Sequence, residues 1–166
     1  MNKHIVSLVL ATALSAGVAS AQSTYEAFLD GLSEVPPNGS PATGIGTVVL
    51  NALQTQITVD ENWSGLLAPA TASHIHGPAT AGVNASVLFP FTGVPAATAG
   101  AIPTQTFSIT AAQVTYLQSG LLYMNVHTAV FPGGEIRGQL LLIPEPSALP
   151  LLGLGLGAVA WRFRRK

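Results

Sequence analysis

The stretch LLYMNVHT, residues 121–128, carries the clearest strand pattern in the sequence. Successive side chains of a β-strand point to opposite faces, so every second residue shares a face. One face is apolar up to a closing threonine and the other is mixed: Leu122, Met124, Val126 and Thr128 on the first, and Leu121, Tyr123, Asn125 and His127 on the second. The pattern predicts a strand whose first face lies in a hydrophobic core.

Short strand-like runs, separated by turn-forming residues, continue on both sides of this stretch. The predicted strands are Thr24–Leu32, Gly46–Leu50, Gln56–Trp63, Ser73–His76, Ala85–Phe91, Thr104–Ile109, Leu121–Thr128 and Glu135–Ile143. Thr110 is placed to cap one short helix, residues 111–119, which Gly120 ends. Many short strands with little helix are typical of an all-β fold, and we expect an antiparallel, Greek-key-like β-sandwich of about 7–9 strands.

The chain begins with the features of an export signal. Lys3 precedes an apolar run, residues 5–18, and the small-residue triplet Ala-Ser-Ala ends at Ala21. This order is typical of a secretory signal peptide. We therefore expect residues 1–21 to form a signal helix that engages Sec-type export machinery and is removed before Gln22. A buried N-terminal helix is the alternative interpretation.

The chain ends in a second segment with a targeting pattern, residues 144–166. Pro144-Glu145-Pro146 interrupts regular structure because proline lacks an amide donor, and an apolar run, residues 151–161, and four basic residues follow. A helix from Ser147 to Phe163 would be about 25 Å long against a hydrocarbon core of about 30 Å, with its basic end on the cytoplasmic side. We expect an apolar C-terminal helix that inserts transiently in the inner membrane, with the domain outside. A permanent transmembrane anchor is the alternative.

Charge and cysteine content exclude several classes of protein. Every basic residue except Arg137 lies within the first three or the last five residues, so the region between holds one base against seven acids, a formal charge of −6. A surface of this kind lacks the basic footprint that phosphate backbones require, and we expect no nucleic-acid partner. The chain has no cysteine, which excludes disulfides and thiolate metal sites.

Three histidines outside the signal segment, His74, His76 and His127, are the candidate metal ligands. His74 and His76 project from the same face of a strand, and His127 can supply a third nitrogen. Three imidazole nitrogens suit copper or zinc. Alternatively, the histidines bond to turn carbonyls or line an outer sheet face. The chain has too few histidines for a two-metal site, and it has no nucleotide-binding loop, nucleophile elbow or HExxH motif.

Glu135 and Arg137 lie two residues apart in the last predicted strand and therefore on one face of it. They can pair with each other or with a neighbouring strand, and Arg137 can hold a carboxylate or carbonyls across the sheet. An exposed pair of this kind contributes at most about 1 kcal/mol. We expect a structural role for both residues.

Three segments resemble the CHRD domain, which is found in animal chordin and in many microbial exported proteins. They are YEAFLDGLSEVPP (25–37), SHIHGPATAG (73–82) and YMNVHTAVFPGGEIRGQL (123–140). The resemblance covers about residues 24–143, and it implies an extracellular β-sandwich without established catalytic activity.

The C-terminal segment is similar to the PEP-CTERM sorting tail of Gram-negative bacteria. It shares with that family the order of Pro-Glu-Pro, a short glycine-rich apolar helix and a terminal basic cluster. The resemblance implies that a membrane-bound exosortase recognises Pro144-Glu145-Pro146 and removes the tail. It also implies an association with exopolysaccharide and biofilm.

These observations divide the chain into a signal peptide (1–21), a CHRD-type domain (22–143) and a sorting tail (144–166). We expect an exported, non-enzymatic surface or extracellular-matrix protein that binds exopolysaccharide, a surface protein or a metal. We expect it in the periplasm, at the outer surface or outside the cell after transient inner-membrane anchoring, and with no obligatory cofactor. The alternative function is that of a copper- or zinc-binding oxidoreductase-like protein using the three histidines.

Overall fold

The computed structural model describes residues 21–144. The predicted signal helix and the predicted apolar C-terminal helix both lie outside these residues. Nothing helical between residues 21 and 144 is long and apolar enough to span a bilayer.

The described chain forms ten strands and one helix, which confirms the predicted all-β class. The strands are β1 (Ser23–Asp30), β2 (Thr43–Leu50), β3 (Gln56–Ser64), β4 (Ala70–His76), β5 (Val87–Pro90), β6 (Gly100–Ala101), β7 (Gln105–Ser108), β8 (Tyr123–Thr128), β9 (Ile136–Gln139) and β10 (Leu141–Leu142). They pair antiparallel in the order β5-β4-β8-β9-β1-β2-β3, with β6 and β7 both on β3 and β10 on β1. Since β9 lies beside the first strand of the β1–β3 meander, the order is Greek-key-like.

The sheet curls into a half-barrel, so that its two halves face each other across one core in the manner of a sandwich. A Cβ added to Gly46 of β2 would collide with Met124 of β8, and Ser73 of β4 hydrogen-bonds to Glu61 of β3. The inward face predicted for residues 121–128 is confirmed, because all four of its members are buried: Leu122, Met124, Val126 and Thr128. The core is therefore shared by strands far apart in the sheet order.

The predicted short helix is also confirmed, as α1 (Ala111–Gln118). The side chain of Thr110 accepts a hydrogen bond from the Gln113 amide, and the Gln113 side chain accepts one from the Thr110 amide. This capping box satisfies amides that have no partner within the helix. Val114 and Leu117 pack into the core. The helix closes one end of the half-barrel between β7 and β8.

The structure has two more strands than the eight predicted segments, and most strand ends differ from the prediction by one to three residues. Residues 135–143 form two strands, because Leu140 turns its side chain into the core and donates its amide to the Leu122 carbonyl (2.9 Å). The chain then pairs with β1 instead of β8. The two-residue strand β6 was not predicted, since a segment so short shows no alternation.

Candidate metal site

Three histidines converge on the outer face of two adjacent strands, β4 and β8. Directly paired residues of antiparallel strands have their side chains on the same face. The pairs here are Ala72 with His127, His74 with Asn125, and His76 with Tyr123. Ser73 and Ile75, the residues between them in β4, point into the core. The register thus brings together the two histidines of β4 and the one of β8, which are the three candidate ligands named from the sequence.

The ring nitrogens are near coordination spacing. Nδ1 of His74 lies 3.2 Å from Nε2 of His127. One nitrogen from each of the three rings lies within 4.8 Å of the others. Ligands held 2.0–2.1 Å from one ion are about 3.3 Å apart in a tetrahedron and at most about 4.2 Å apart in any geometry. One pair already has this spacing, and the third ring needs to move by up to about 1.5 Å to complete a tetrahedral set.

Backbone carbonyls orient two of the rings. Nδ1 of His76 donates to the Ala85 carbonyl (3.0 Å), and Nδ1 of His127 donates to the Pro132 carbonyl (2.9 Å). A carbonyl only accepts, so each Nδ1 carries the hydrogen and each Nε2 presents a lone pair. Nε2 of His76 is buried and has no hydrogen-bond partner within residues 21–144. Metal-binding histidines characteristically bond their other ring nitrogen in this way.

Asn125 adds an oxygen to the cluster. Its Oδ1 lies 3.0 Å from Nε2 of His127. Because His127 already donates its hydrogen to Pro132, its Nε2 is an acceptor, and either the Asn125 amide turns to present Nδ2 to it or a cation lies between Nε2 and Oδ1. A cation would also satisfy the buried Nε2 of His76. The donor set is therefore three imidazole nitrogens and one amide oxygen.

Burial keeps the three imidazoles neutral. It lowers the pKa of His76 and of His127. For His74, burial together with repulsion from the other two rings lowers the pKa to about 4. Neutral imidazole is the form that binds a metal ion, so the cluster needs no deprotonation at neutral pH.

A buried arginine holds the loop above the site. The guanidinium of Arg137 lies 3.4 Å from the centroid of the Tyr123 ring, and the ring of His76 stacks parallel to Tyr123. Arg137 donates to two groups of the loop formed by residues 77–86: the Val83 carbonyl (2.7 Å) and Oδ1 of Asn84 (3.1 Å). The same loop supplies the carbonyl that orients His76. Arg137 therefore positions the histidine indirectly, by fixing the loop.

Glu135 has different partners from Arg137. Its Oε1 accepts from Ser40 Oγ and from the Leu67 amide (both 2.7 Å), and its Oε2 accepts from Thr128 Oγ1 (2.7 Å). Glu135 thus ties two loops to the end of β8, while Arg137 ties down residues 77–86. The two residues do not pair with each other, and each side chain is fully buried.

Glu34 lies beside the site, and no sequence pattern indicated it. Its side chain is buried, and its Oε1 has no hydrogen-bond partner within residues 21–144. Burial raises the pKa of this carboxyl. Its close approach requires glycine at position 134 (φ +133°), where a Cβ would collide with the Glu34 carboxyl and lie 2.8 Å from Nδ2 of Asn125. A carboxylate at this position would offset the charge of a bound cation.

A second buried acid, Glu61, lies on the core side of β4. Ser73 Oγ donates its hydrogen to the Asn125 carbonyl (2.8 Å) and also hydrogen-bonds to Glu61. A hydroxyl has one hydrogen, so the hydrogen between Ser73 and Glu61 comes from the carboxyl group. Consistently, burial raises the pKa of Glu61 to about 8. Glu61 is therefore a neutral hydrogen-bond donor at neutral pH.

The predicted processing residues lie at the ends of the described chain. Ala21 and Gln22 are exposed and precede β1, and Pro144 is exposed and follows β10. Glu145 and Pro146 lie outside the described residues. The two predicted cleavage regions thus flank the folded domain.

Comparison with known families confirms both resemblances. A model described as the CHRD domain matches residues 25–140, and a model described as the PEP-CTERM protein-sorting motif matches residues 142–166. No curated protein and no solved structure matches the chain significantly. The sorting motif marks an exported protein, secreted or associated with the cell envelope, that an exosortase-type enzyme processes.

Proposed function

The chain belongs to the CHRD domain family. We propose that it is a non-enzymatic surface or extracellular-matrix protein whose domain binds copper or zinc. The observation that carries the proposal is the convergence of His74, His76 and His127, two of which have their Nε2 lone pairs set by backbone carbonyls. The sorting motif supports the surface or matrix location. The composition supports the same location, because only 8% of the residues are charged and the polar surface therefore consists mainly of neutral side chains.

A bound ion would stabilise the outer face of the sheet. It would link β4 to β8 and, through the carbonyls of Ala85 and Pro132, both loops that follow these strands. Because these groups are free to move in the unfolded chain, ion binding adds directly to the free energy of unfolding. Copper(II) should bind more tightly than zinc, following the general order of divalent affinities for nitrogen ligands.

Calorimetric titration of the purified, chelator-treated secreted protein with Zn²⁺ and Cu²⁺ tests the proposal. We expect one ion per chain, and a loss of affinity of more than about 100-fold in His74→Ala and in His127→Ala. The matched control is Thr71→Ala, an exposed residue of the same strand, which should leave affinity unchanged. If the protein binds neither ion, or if the histidine variants differ from the wild type only in stability, the cluster is a hydrogen-bonding network alone.

The alternative function is that of a copper-dependent oxidoreductase-like protein. It is favoured by the partial exposure of His74 and His127, which leaves a bound ion open to small molecules from solvent. Redox cycling of the copper-loaded protein, measured against His74→Ala, separates the two functions. Copper binding without turnover supports the non-enzymatic proposal.

A further inference from the structure

A contiguous apolar surface surrounds the point where the chain leaves the domain. We call it the exit patch and define it by four side chains that the structure leaves exposed: Phe28 of β1, Ile45 of β2, and Leu141 and Ile143 at the C-terminal end. Phe28 and Ile45 are directly paired across β1 and β2, and Leu141 is paired with Glu26 of β1. A groove of about 430 Å³ runs from Phe28 along β10 to Pro144.

The composition of the exit patch differs from that of an ordinary outer sheet face. Phe28 is 61% exposed and Leu141 is 59% exposed, although outward positions of a half-solvated sheet are normally polar. Single exposed apolar residues need no explanation, whereas contiguous exposed apolar patches mark sites of interaction. Exposure of this kind, seen among residues 21–144, is therefore typical of a binding surface.

The location of the exit patch indicates which partner binds to it. The match to the sorting motif begins at residue 142, within β10 and between Leu141 and Ile143 of the exit patch. The Ile143 amide donates to the Thr24 carbonyl (2.9 Å), so the chain stays attached to the domain up to one residue before Pro144. The three residues of Pro-Glu-Pro span at most about 11 Å when extended. An enzyme that holds this motif must therefore approach the exit patch closely.

We propose that the exit patch is a docking surface for the exosortase-type enzyme that processes this chain. The enzyme contacts the exit patch with an apolar surface of its own. Glu26 is the acidic residue that lines the groove, so the complementary partner surface carries a basic residue opposite it. Recognition then extends from the sorting motif into the folded domain. Processing is favoured after the domain has folded, because β1, β2 and β10 form the patch only when paired.

The test uses the full-length chain in its producing cells, where conversion of precursor to processed protein is followed by pulse labelling and a shift in mass. Phe28→Ser and Leu141→Ser should each slow conversion at least tenfold, which corresponds to about 1.4 kcal/mol of lost binding. The matched control is Leu53→Ser, which changes an even more exposed leucine (81%) in the turn between β2 and β3 and should be processed at the wild-type rate. Equal thermal melting of all variants excludes an effect through folding.

Two results would overturn the proposal. One is wild-type processing of both patch variants. The other is a direct role in lipid binding, measured by flotation of the purified processed protein, which lacks the apolar tail, with phosphatidylcholine vesicles. We expect flotation to be the same for wild type and Phe28→Ser, and its loss in the variant would assign the patch to the membrane surface. Neither result depends on the metal proposal, because Phe28 and Leu141 are not among the cluster residues.

Discussion

Replacing Glu61 by glutamine should remove a pH dependence from the stability of the domain. Glu61 is 2% exposed, it shares a hydrogen bond with Ser73, and its Oε1 has no partner within residues 21–144. Burial raises its pKa from 4.5 to about 8. The folded state therefore retains a proton that the unfolded chain loses at a lower pH.

The size of the effect follows from linkage. Since the folded pKa is raised, the stabilisation is fully present below pH 4.5 and is lost as pH rises to about 8. Each pKa unit corresponds to 1.36 kcal/mol, so the free energy of unfolding falls by about 1.4 kcal/mol per pH unit and by about 5 kcal/mol over this window. That is a large fraction of the 5–15 kcal/mol typical of a domain.

The assay is urea unfolding of wild type and Glu61→Gln at pH 5, 6, 7 and 8, with a chelator present throughout. A glutamine amide donates to Ser73 much as the protonated carboxyl does, so the two proteins should be similarly stable at pH 5. As pH rises from 5 to 8, the free energy of unfolding of the variant should increase relative to that of wild type by about 1.4 kcal/mol per pH unit. Taking the difference between the two proteins cancels the contribution of all other titrating groups.

A matched control is Glu26→Gln, which changes an exposed carboxyl on β1. Its stability difference from wild type should stay constant over the same pH range. The reasoning is refuted if the Glu61→Gln difference changes by less than about 1 kcal/mol between pH 5 and pH 8. That outcome would mean that Glu61 is already ionised in the folded state at pH 5.

Four further predictions follow from individual contacts. Asn125→Ala should weaken zinc or copper binding about 10- to 100-fold in calorimetry by removing Oδ1 next to His127, whereas equal affinity would exclude a role for the amide. Gly138→Ala should destabilise the domain by about 1–3 kcal/mol in urea unfolding, because its Cβ would meet the Phe28 carbonyl, whereas Gly133→Ala faces open space and should change stability by less than about 0.5 kcal/mol. Zinc at 100 times its dissociation constant should add about 2.7 kcal/mol to the free energy of unfolding, and no change would contradict binding to the folded state. Intact-mass analysis of the native secreted protein should give a chain that starts at Gln22 and lacks residues 147–166, whereas retention of those residues would indicate a permanent anchor.

Alternation within strands was the most reliable guide to the fold and to part of the site. The period of two placed residues 122–128 correctly and put His74 and His76 on one face. The same alternation also indicates that Glu61 faces the core, although this was not predicted. Ile57, Val59, Glu61 and Trp63 alternate along β3, so the acid occupies an inward position among core residues.

The register between strands could not be predicted from local pattern. The position of His127 next to His74 depends on how β4 aligns with β8, and a shift by one residue would have moved the ring to the other face. The contacts made by loops could not be predicted from the sequence either. Glu34, Ala85 and Pro132 reach the cluster through turns whose paths depend on the whole fold, and none of them belongs to a motif with metal-ligand spacing.

The distribution of unpartnered polar atoms gives the strongest reason to regard the cluster as a binding site. Buried polar groups are almost always hydrogen-bonded, because leaving one without a partner costs about 1–3 kcal/mol. Within residues 21–144 three buried side-chain atoms lack a partner: Glu34 Oε1, Glu61 Oε1 and His76 Nε2. Protonation lessens the cost of burying Glu61, since its carboxyl is then neutral. The other two atoms lie on the outer side of β4, β8 and β9, next to an asparagine oxygen that faces a second imidazole acceptor. One cation among the imidazoles would give Nε2 of His76 a partner and lie between Nε2 of His127 and Oδ1 of Asn125, and an ionised Glu34 would balance its charge, whereas protonation of Glu34 leaves Nε2 of His76 without a partner.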